Sequence, residues 1–279
     1  MRPTRATIDQ LIERHAVLLL DAYGVLVHHG GALEGAAELV ARLNATRKPY
    51  FILTNDASRR AATSAARFAS MGLHIPAERV ISSGSLIAGH FAARGLGGAR
   101  CVVLGPEDSR SYVAEAGGVL VTPGDPAASV LVICDEVGYD FVETVDATLT
   151  WLFHRVDAGL PPSLVCPNPD LVYPKDAAAY GITAGSIAGL LEAALVQRYP
   201  GRPDLRFERL GKPNRPIFEA ARQAAGTMDM VMIGDQLGTD IRGALGFGIA
   251  AALVESGLDR HDPDADLQPT YLLDSIQPA

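Results

Sequence analysis

A small set of side chains in this 279-residue sequence has the types and spacing for chemistry on a charged substrate. Asp21 closes the apolar run Ala16-Val17-Leu18-Leu19-Leu20 and leads into Ala22-Tyr23-Gly24-Val25-Leu26. Thr54 and Asn55 close Tyr50-Phe51-Ile52-Leu53, with Ser58 shortly after. Gly211-Lys212-Pro213 follows Phe207-Glu208-Arg209-Leu210, and Gly234-Asp235 to Asp240 follows Val231-Met232-Ile233. Singly, each is ordinary. An aspartate after a strand is commonly a turn residue, Thr54 or Ser58 can cap a helix, and a lysine can be solvated surface. Together they differ. Converging carboxylates make a hard, oxygen-lined site suited to Mg²⁺. A hydroxyl, backbone amides at a helix N-terminus and an ammonium make a phosphate cradle. A carboxylate beside a metal and a phosphoryl group can attack phosphorus in line and form an aspartyl-phosphate.

The elements that must position these residues alternate along the chain. Ala16–Leu20 and 50–53 are too short for helices and continuously apolar, as strands buried on both faces are. Ala36, Leu39, Val40 and Leu43 follow helical spacing, and a helix over 58–71 ends at Gly72. The rhythm returns late: a strand over 207–210, a helix over 216–225, a strand over 231–233, a short helix over 240–245 and a strand over 249–254. Between lie strand-like runs at 101–104, 119–121, 130–133 and 164–166, with helices near 109–116 and 141–157. Strands alternating with helices predict an α/β fold with a Rossmann-like, doubly wound parallel sheet. Ligands in such sheets sit at the carboxyl ends of strands, which is where the candidate residues fall. The middle stretch reads as a second α/β segment inserted into the first, with a single large sheet as the alternative.

Composition narrows the field. At 48% hydrophobic and 20% charged, the chain has enough apolar content for a real core. A formal charge of −8 with no basic run argues against a nucleic-acid partner. No stretch approaches the roughly 20 apolar residues of a membrane span, and the N-terminus lacks a signal-peptide pattern, so the expected location is cytoplasmic. Cys101, Cys134 and Cys166 are unpaired in spacing and read as inert core residues. Lys48, Lys175 and Lys212 are the only lysines.

These segments resemble the motifs of the haloacid dehalogenase (HAD) superfamily, and more narrowly its class IIA of NagD-type phosphatases. Ile52-Leu53-Thr54-Asn55 with Ser58-Arg59, Gly211-Lys212-Pro213 with Ile217-Phe218, and Gly234-Asp235…Thr239-Asp240-Ile241…Gly243-Ala244 carry the likeness. So do Leu253-Val254-Glu255-Ser256-Gly257 and, in the middle, Asn168-Pro169-Asp170. The resemblance implies that Asp21 is the nucleophile and a metal ligand. The backbone carbonyl of Tyr23 and the side chain of Asp235 complete the Mg²⁺ ligands, and Asp240 holds metal-bound water or orients Lys212. It implies that Thr54 and Asn55, with Ser58 beside them, bind the transferring group, and that Lys212 neutralises charge on Asp21 and the phosphoryl oxygens. It further implies a HAD core over 1–82 and 189–279 and an inserted α/β cap over 83–188 that selects a small phosphorylated substrate. Cap-mediated homodimers are common in that class.

One departure matters. The family carries a second aspartate two positions after the nucleophile, which protonates the leaving group; here that residue is Tyr23. A phenol releases its proton only near about pH 10, so it can donate one but is a poor base at neutral pH. Three readings follow: a Mg²⁺-dependent phosphatase with a modified acid–base step, a 2-haloacid dehalogenase, whose first motif Asp21-Ala22-Tyr23-Gly24 resembles, or a weakened binder of a phosphorylated ligand. Asp235 and Asp240 preserve a metal site that dehalogenation does not require. His28 and His29, just after the first motif, are alternative acid–base groups or a polar turn. Gly246-Phe247-Gly248 follows a helix and opens a strand, the reverse of a dinucleotide fingerprint. Trp151 and Phe153 read as packing residues.

Overall fold

A computed structural model describes residues 2–176, 179–255 and 257–278 of the chain. Contacts divide it into two units. The first comprises Met1–Thr54, Ala61–Ser82 and Lys212–Ala279; the second comprises Asn55–Arg60 and Ser83–Gly211.

The first unit is built on a seven-stranded sheet in the order Thr4–Arg5, Tyr271–Leu273, Ala250–Val254, Met230–Gly234, Val17–Leu20, Tyr50–Thr54, Val80–Ser82. Every neighbouring pair is parallel. Val17–Leu20, Tyr50–Thr54 and Met230–Gly234 are buried at every position, which explains their unbroken apolar runs. Sequence order runs outward from Val17–Leu20 on both sides, through Tyr50–Thr54 and Val80–Ser82 on one and through Met230–Gly234, Ala250–Val254 and Tyr271–Leu273 on the other, with Thr4–Arg5 at that edge. The order therefore reverses between Val17–Leu20 and Met230–Gly234, where open α/β sheets place their ligands. Helix Ala36–Ala45 buries Ala36, Leu39, Val40 and Leu43, the face its spacing predicts. Gly72, at φ +82°, stands in the left-handed conformation expected just beyond a helix end.

The second unit carries a five-stranded parallel sheet in the order Glu208–Arg209, Ser163–Cys166, Val130–Ile133, Arg100–Leu104, Val119–Val121. Alternate residues of Val130–Ile133 feed two cores. Leu131 and Ile133 pack with Leu152 and Leu191, while Val130 and Val132 pack with Phe91 and Val113. The three cysteines are buried here, and burial pushes the Cys101 thiol up to about 11 and the Cys166 thiol up to about 12.

Three expectations are revised. The strand over 207–210 does not join the first sheet: Glu208 and Arg209 pair with Val165 and Cys166 of the second. Residue 188, expected to end the insert, falls inside helix Ala184–Arg198, whose Ile187, Leu191 and Leu195 pack in the second unit, so the division comes after Gly211. The helix expected from Ser58 begins at Ala61, because the Asp56 carboxylate takes the backbone N–H of Ser58 at 2.7 Å before a helical turn can form. The short helix Arg242–Phe247 is preceded by a π-turn at Leu237–Ile241, closed by Ile241 N–H donating to Gln236 O at 3.3 Å.

Candidate active site

The carboxyl ends of the two central strands carry Asp21 and Asp235, two of the candidate residues. Asp21 N–H donates to Ile233 O at 2.9 Å, so Asp21 continues the pairing of Val17–Leu20 with Met230–Gly234 and stands beside the strand that delivers Asp235. The π-turn that follows brings Asp240 back. Its carboxylate Oδ2 accepts from Gln236 N–H at 3.2 Å, and Asp240 N–H donates to Gln236 O at 3.1 Å. As a result, Asp21, Asp235 and Asp240 each place a carboxylate oxygen within 4.8 Å of the others'. All three are buried. Lys212 is buried with them, its Nζ 2.7 Å from Asp21 Oδ1 and 2.7 Å from Asp240 Oδ1. The expectation that Lys212 follows a strand of the same sheet fails, since Glu208–Arg209 belongs to the second sheet, yet its ammonium arrives where that expectation put it.

Glycines make room for this cluster. A Cβ at Gly24, whose φ is +79°, lies 2.0 Å from Asp235 Oδ2. A Cβ at Gly257 lies 2.1 Å from Asp235 Cβ, and one at Gly234 lies 2.2 Å from Asp240 Cγ. The backbone also orients Asp235: Leu258 N–H donates to its Oδ2 at 2.8 Å, and Asp259 N–H donates to its carbonyl at 3.0 Å. Asp259 in turn accepts from Leu237 N–H at 2.6 Å, pinning the start of the π-turn. Gly24 and Gly257 fall inside the motifs, but spacing alone assigns them no such role, and it does not point to Leu258 or Asp259. A Gly directly after the strand Ala250–Val254 and its turn was the available signal. Ser256, quoted in the same motif, lies outside the described residues.

The electrostatics suit a divalent cation. Three carboxylates against one ammonium leave two negative charges when all are ionised. Burial, then Asp240, pushes the Asp235 carboxyl up to about 6. Burial also raises Asp21 well above the usual carboxylate range; Lys212 opposes the shift, while Asp240 and Asp235 add to it. Burial alone would lower Lys212, but the carboxylates of Asp21 and Asp240 outweigh it and hold the ammonium above its ordinary value. Asp235 Oδ1 is buried without a hydrogen-bond partner among the described residues. A buried, partnerless carboxylate oxygen is costly unless a cation takes it, and an all-oxygen donor set matches Mg²⁺. The residues present therefore fit the metal.

The remaining candidates divide. Thr54 closes the strand next to Val17–Leu20 and is buried. Asn55 and Ser58 belong to the second unit: Asn55 Nδ2 donates to Asp170 Oδ1 at 2.8 Å, and Ser58 Oγ donates to Asp56 Oδ1 at 2.7 Å. Tyr23 is half-buried. Its hydroxyl oxygen accepts from Arg67 Nη2 at 3.1 Å, and the guanidinium stands 5.5 Å from its ring centre. Arg67, on helix Ala61–Ser70, gave no sequence signal for this pairing. His28 lies in a small hairpin of Val27–His28 with Gly31–Ala32, and its Nδ1 accepts from Gly30 N–H at 2.7 Å, as a turn residue does.

Comparison with known proteins decides the family. The family described as haloacid dehalogenase-like hydrolase matches residues 18–119, and the HAD-hydrolase-like family matches residues 209–279. The chain belongs to the haloacid dehalogenase-like hydrolases. This hydrolase is 27% identical to a dihydroxyacetone phosphatase of Corynebacterium glutamicum, over 92% of this chain and 88% of that one. It is 26% identical to the ribonucleotide monophosphatase NagD of Escherichia coli, over 90% and 92% of the two chains. A solved structure described as a possible sugar phosphatase of the superfamily, from Cytophaga hutchinsonii, matches with a TM-score of 0.84 at 27% identity, covering 99% of each chain. The NagD-type likeness and the enzyme class read from the motifs are thus borne out, and the relatives are phosphatases. No helix among the described residues is long and apolar enough to cross a membrane.

Proposed function

We propose that this hydrolase is a Mg²⁺-dependent phosphatase of a small phosphorylated metabolite, acting through an aspartyl-phosphate on Asp21. The observation that carries the reading is the buried cluster of Asp21, Asp235 and Asp240 with Lys212 bridging two of them. Asp21, Asp235 and Asp240, with the backbone carbonyl of Tyr23, are the residues that hold the ion or its water. Bound there, Mg²⁺ offsets the charge of the carboxylates and of the phosphoryl oxygens.

The protein's own groups account for the steps. Asp21 Oδ1 accepts from Ala22 N–H and from Lys212, each at 2.7 Å, so Oδ2 is the oxygen left to attack. Its lone pair forms the new bond to phosphorus as the bond to the leaving oxygen breaks. The leaving oxygen takes a proton and departs as an alcohol. Water then attacks phosphorus and releases Asp21 and inorganic phosphate. Lys212 keeps Asp21 oriented and offsets charge that grows in the transition state. Thr54 supplies a hydroxyl at the neighbouring strand end, and Asn55 and Ser58 are proposed as further phosphate contacts. Tyr23 occupies the usual acid–base position, but its oxygen already accepts from Arg67, and it keeps one O–H to give. Substrates whose leaving groups need little protonation therefore suit this site best. No nucleic acid or membrane is part of the reading.

The test is a paired assay on purified protein. Phosphate release from p-nitrophenyl phosphate that needs Mg²⁺, stops with chelator and is lost in Asp21→Asn supports the proposal. Chelator-insensitive halide release from a 2-haloacid replaces it with dehalogenation. Binding of a phosphorylated metabolite without turnover in either arm replaces it with a binder.

A further inference from the structure

Asn168-Pro169-Asp170 carries part of the family likeness but has no task in the phosphatase reading, although the structure fixes it firmly. The segment follows strand Ser163–Cys166 of the second unit. Asn168 Oδ1 accepts from Asp170 N–H at 3.0 Å. The Asp170 carbonyl accepts from Gly185 N–H at 3.0 Å and from the Thr183 hydroxyl, both at the start of helix Ala184–Arg198. A Cβ at Gly185 would lie 2.4 Å from that carbonyl oxygen, so the close approach needs glycine. With its backbone held from both sides, residue 170 presents a carboxylate to one partner across 115 positions of sequence: Asp170 Oδ1 accepts from Asn55 Nδ2 at 2.8 Å.

Asn55 is buried and gripped elsewhere too. Its carbonyl accepts from the hydroxyl of the fully buried Ser83 at 2.6 Å. Its side-chain Oδ1 lies 2.4 Å from where a Cβ would stand on Gly211, and Gly211 N–H donates to Pro167 O at 2.9 Å. All of these contacts lie inside the second unit. Two of the residues, however, lead by one peptide bond into the chemistry. Asn55 follows Thr54, and Gly211 precedes Lys212, whose ammonium is 2.7 Å from both Asp21 and Asp240. A buried donor left without an acceptor is costly, so an Asn55 amide deprived of Asp170 would turn or shift against Gly211. A misplacement of about 1 Å can cost a reaction about 10²-fold. We propose that Asp170 is a positioning residue: by fixing the Asn55 amide against Gly211, it holds Thr54 and Lys212 where the reaction needs them. Its effect on turnover rests on the phosphatase reading; its effect on Lys212 does not.

The scarcity of lysine makes this measurable. Lys48, Lys175 and Lys212 are the only lysines, so protein labelled with ¹⁵N-lysine gives few ammonium signals, and Lys212→Met assigns the buried one. Asp170→Leu removes the acceptor of the Asn55 amide, whereas Asp170→Asn keeps one in its amide oxygen. Asp170→Leu should shift the Lys212 ammonium signal. On p-nitrophenyl phosphate with Mg²⁺ it should lower kcat by about tenfold or more and leave KM within about twofold. Asp170→Asn should restore both the signal and kcat to near wild type. Should Asp170→Leu fail to fold, Gly211→Ala displaces the Asn55 amide from the other side and should give the same shift and the same loss. A folded Asp170→Leu protein with the wild-type ammonium signal overturns the proposal. So does a raised KM at unchanged kcat, which would make Asp170 a substrate contact, or an equal loss in Asp170→Asn, which would make its charge the cause. A wild type that releases no phosphate removes the phosphatase reading instead, and the ammonium signal then decides the role of Asp170 by itself.

Discussion

Asp235 sits at about 6 because it is buried and faces Asp240. An unfolded aspartate titrates at about 3.9, so the native state binds more protons than the unfolded state between these values. Stability of the metal-free protein therefore falls as pH rises through this window, and the cost is fully present above about pH 6. The gap corresponds to roughly 3 kcal/mol. Asp235→Asn removes the charge, so in chelator the variant should melt higher than wild type at pH 8, with the difference closing toward pH 4. Mg²⁺ should raise the melting temperature of wild type and leave the variant nearly unmoved. A wild type indifferent to Mg²⁺ in that scan would falsify the metal assignment. Lys212→Met acts oppositely. It strands Asp21 and Asp240 without their ammonium, and breaking a buried pair costs about 3–5 kcal/mol. Urea unfolding in chelator at neutral pH should show that loss, with part of it recovered in Mg²⁺. Gly24→Ala tests the cradle itself: a methyl 2.0 Å from Asp235 Oδ2, on a backbone at φ +79°, forces the carboxylate aside. Mg²⁺ affinity measured by calorimetry should fall about tenfold or more, the scale seen when groups supporting a ligand are changed. Unchanged affinity would mean that Asp235 does not hold the ion.

At the scale of elements, the turn after Val17–Leu20 and helix Ala61–Ser70 bring Tyr23 and Arg67 together, and on the proposed phosphatase reading that pairing governs the acid–base step. A phenol so engaged is a modest substitute for a carboxylic acid, so turnover should rise steeply with the acidity of the leaving group across a series of aryl and alkyl phosphates. Tyr23→Asp should restore general acid catalysis and flatten that dependence, raising kcat on alkyl phosphates by about 10²-fold or more and changing aryl phosphates far less. A variant with the wild-type slope would place proton transfer elsewhere. How legible this was in the sequence depends on range. Val17–Leu20, Tyr50–Thr54 and Met230–Gly234 announce themselves, because a strand buried on both faces is apolar at each position. Asp21, Asp235 and Asp240 follow from those strand ends, and Asp240's return depends on a turn only a few residues long. The pairing of Tyr23 with Arg67 spans 44 residues and rests on tertiary packing, which spacing does not encode. Glu208–Arg209 shows the same limit: two residues mark a strand but do not say which sheet receives it. The helix predicted from Ser58 starts at Ala61 because the competing acceptor, Asp56, lies outside the hydrophobic pattern.

Across the whole molecule, the chain passes between the two units after Thr54, Arg60, Ser82 and Gly211. Every carboxylate of the cluster, and Lys212 with them, belongs to the first unit. A ligand stabilises only the folded state that binds it, by about 2.7 kcal/mol at 100 times its dissociation constant. Each unit has its own parallel sheet and its own buried clusters, so one cooperative transition is not assured. Mg²⁺ should therefore slow amide hydrogen exchange in Val17–Leu20 and Met230–Gly234, whose ends carry Asp21 and Asp235, and leave Val130–Ile133 and Ser163–Cys166 unchanged. The comparison needs Na⁺ at equal ionic strength, because a chain of net charge −8 gains some stability from any salt that screens its self-repulsion. Exchange slowed alike in both sheets, beyond the Na⁺ control, would mean that the units open as one block. Exchange slowed only in the second would move the cation away from Asp21 altogether. Protection confined to the first sheet ties the metal to the strand ends where the order of that sheet reverses.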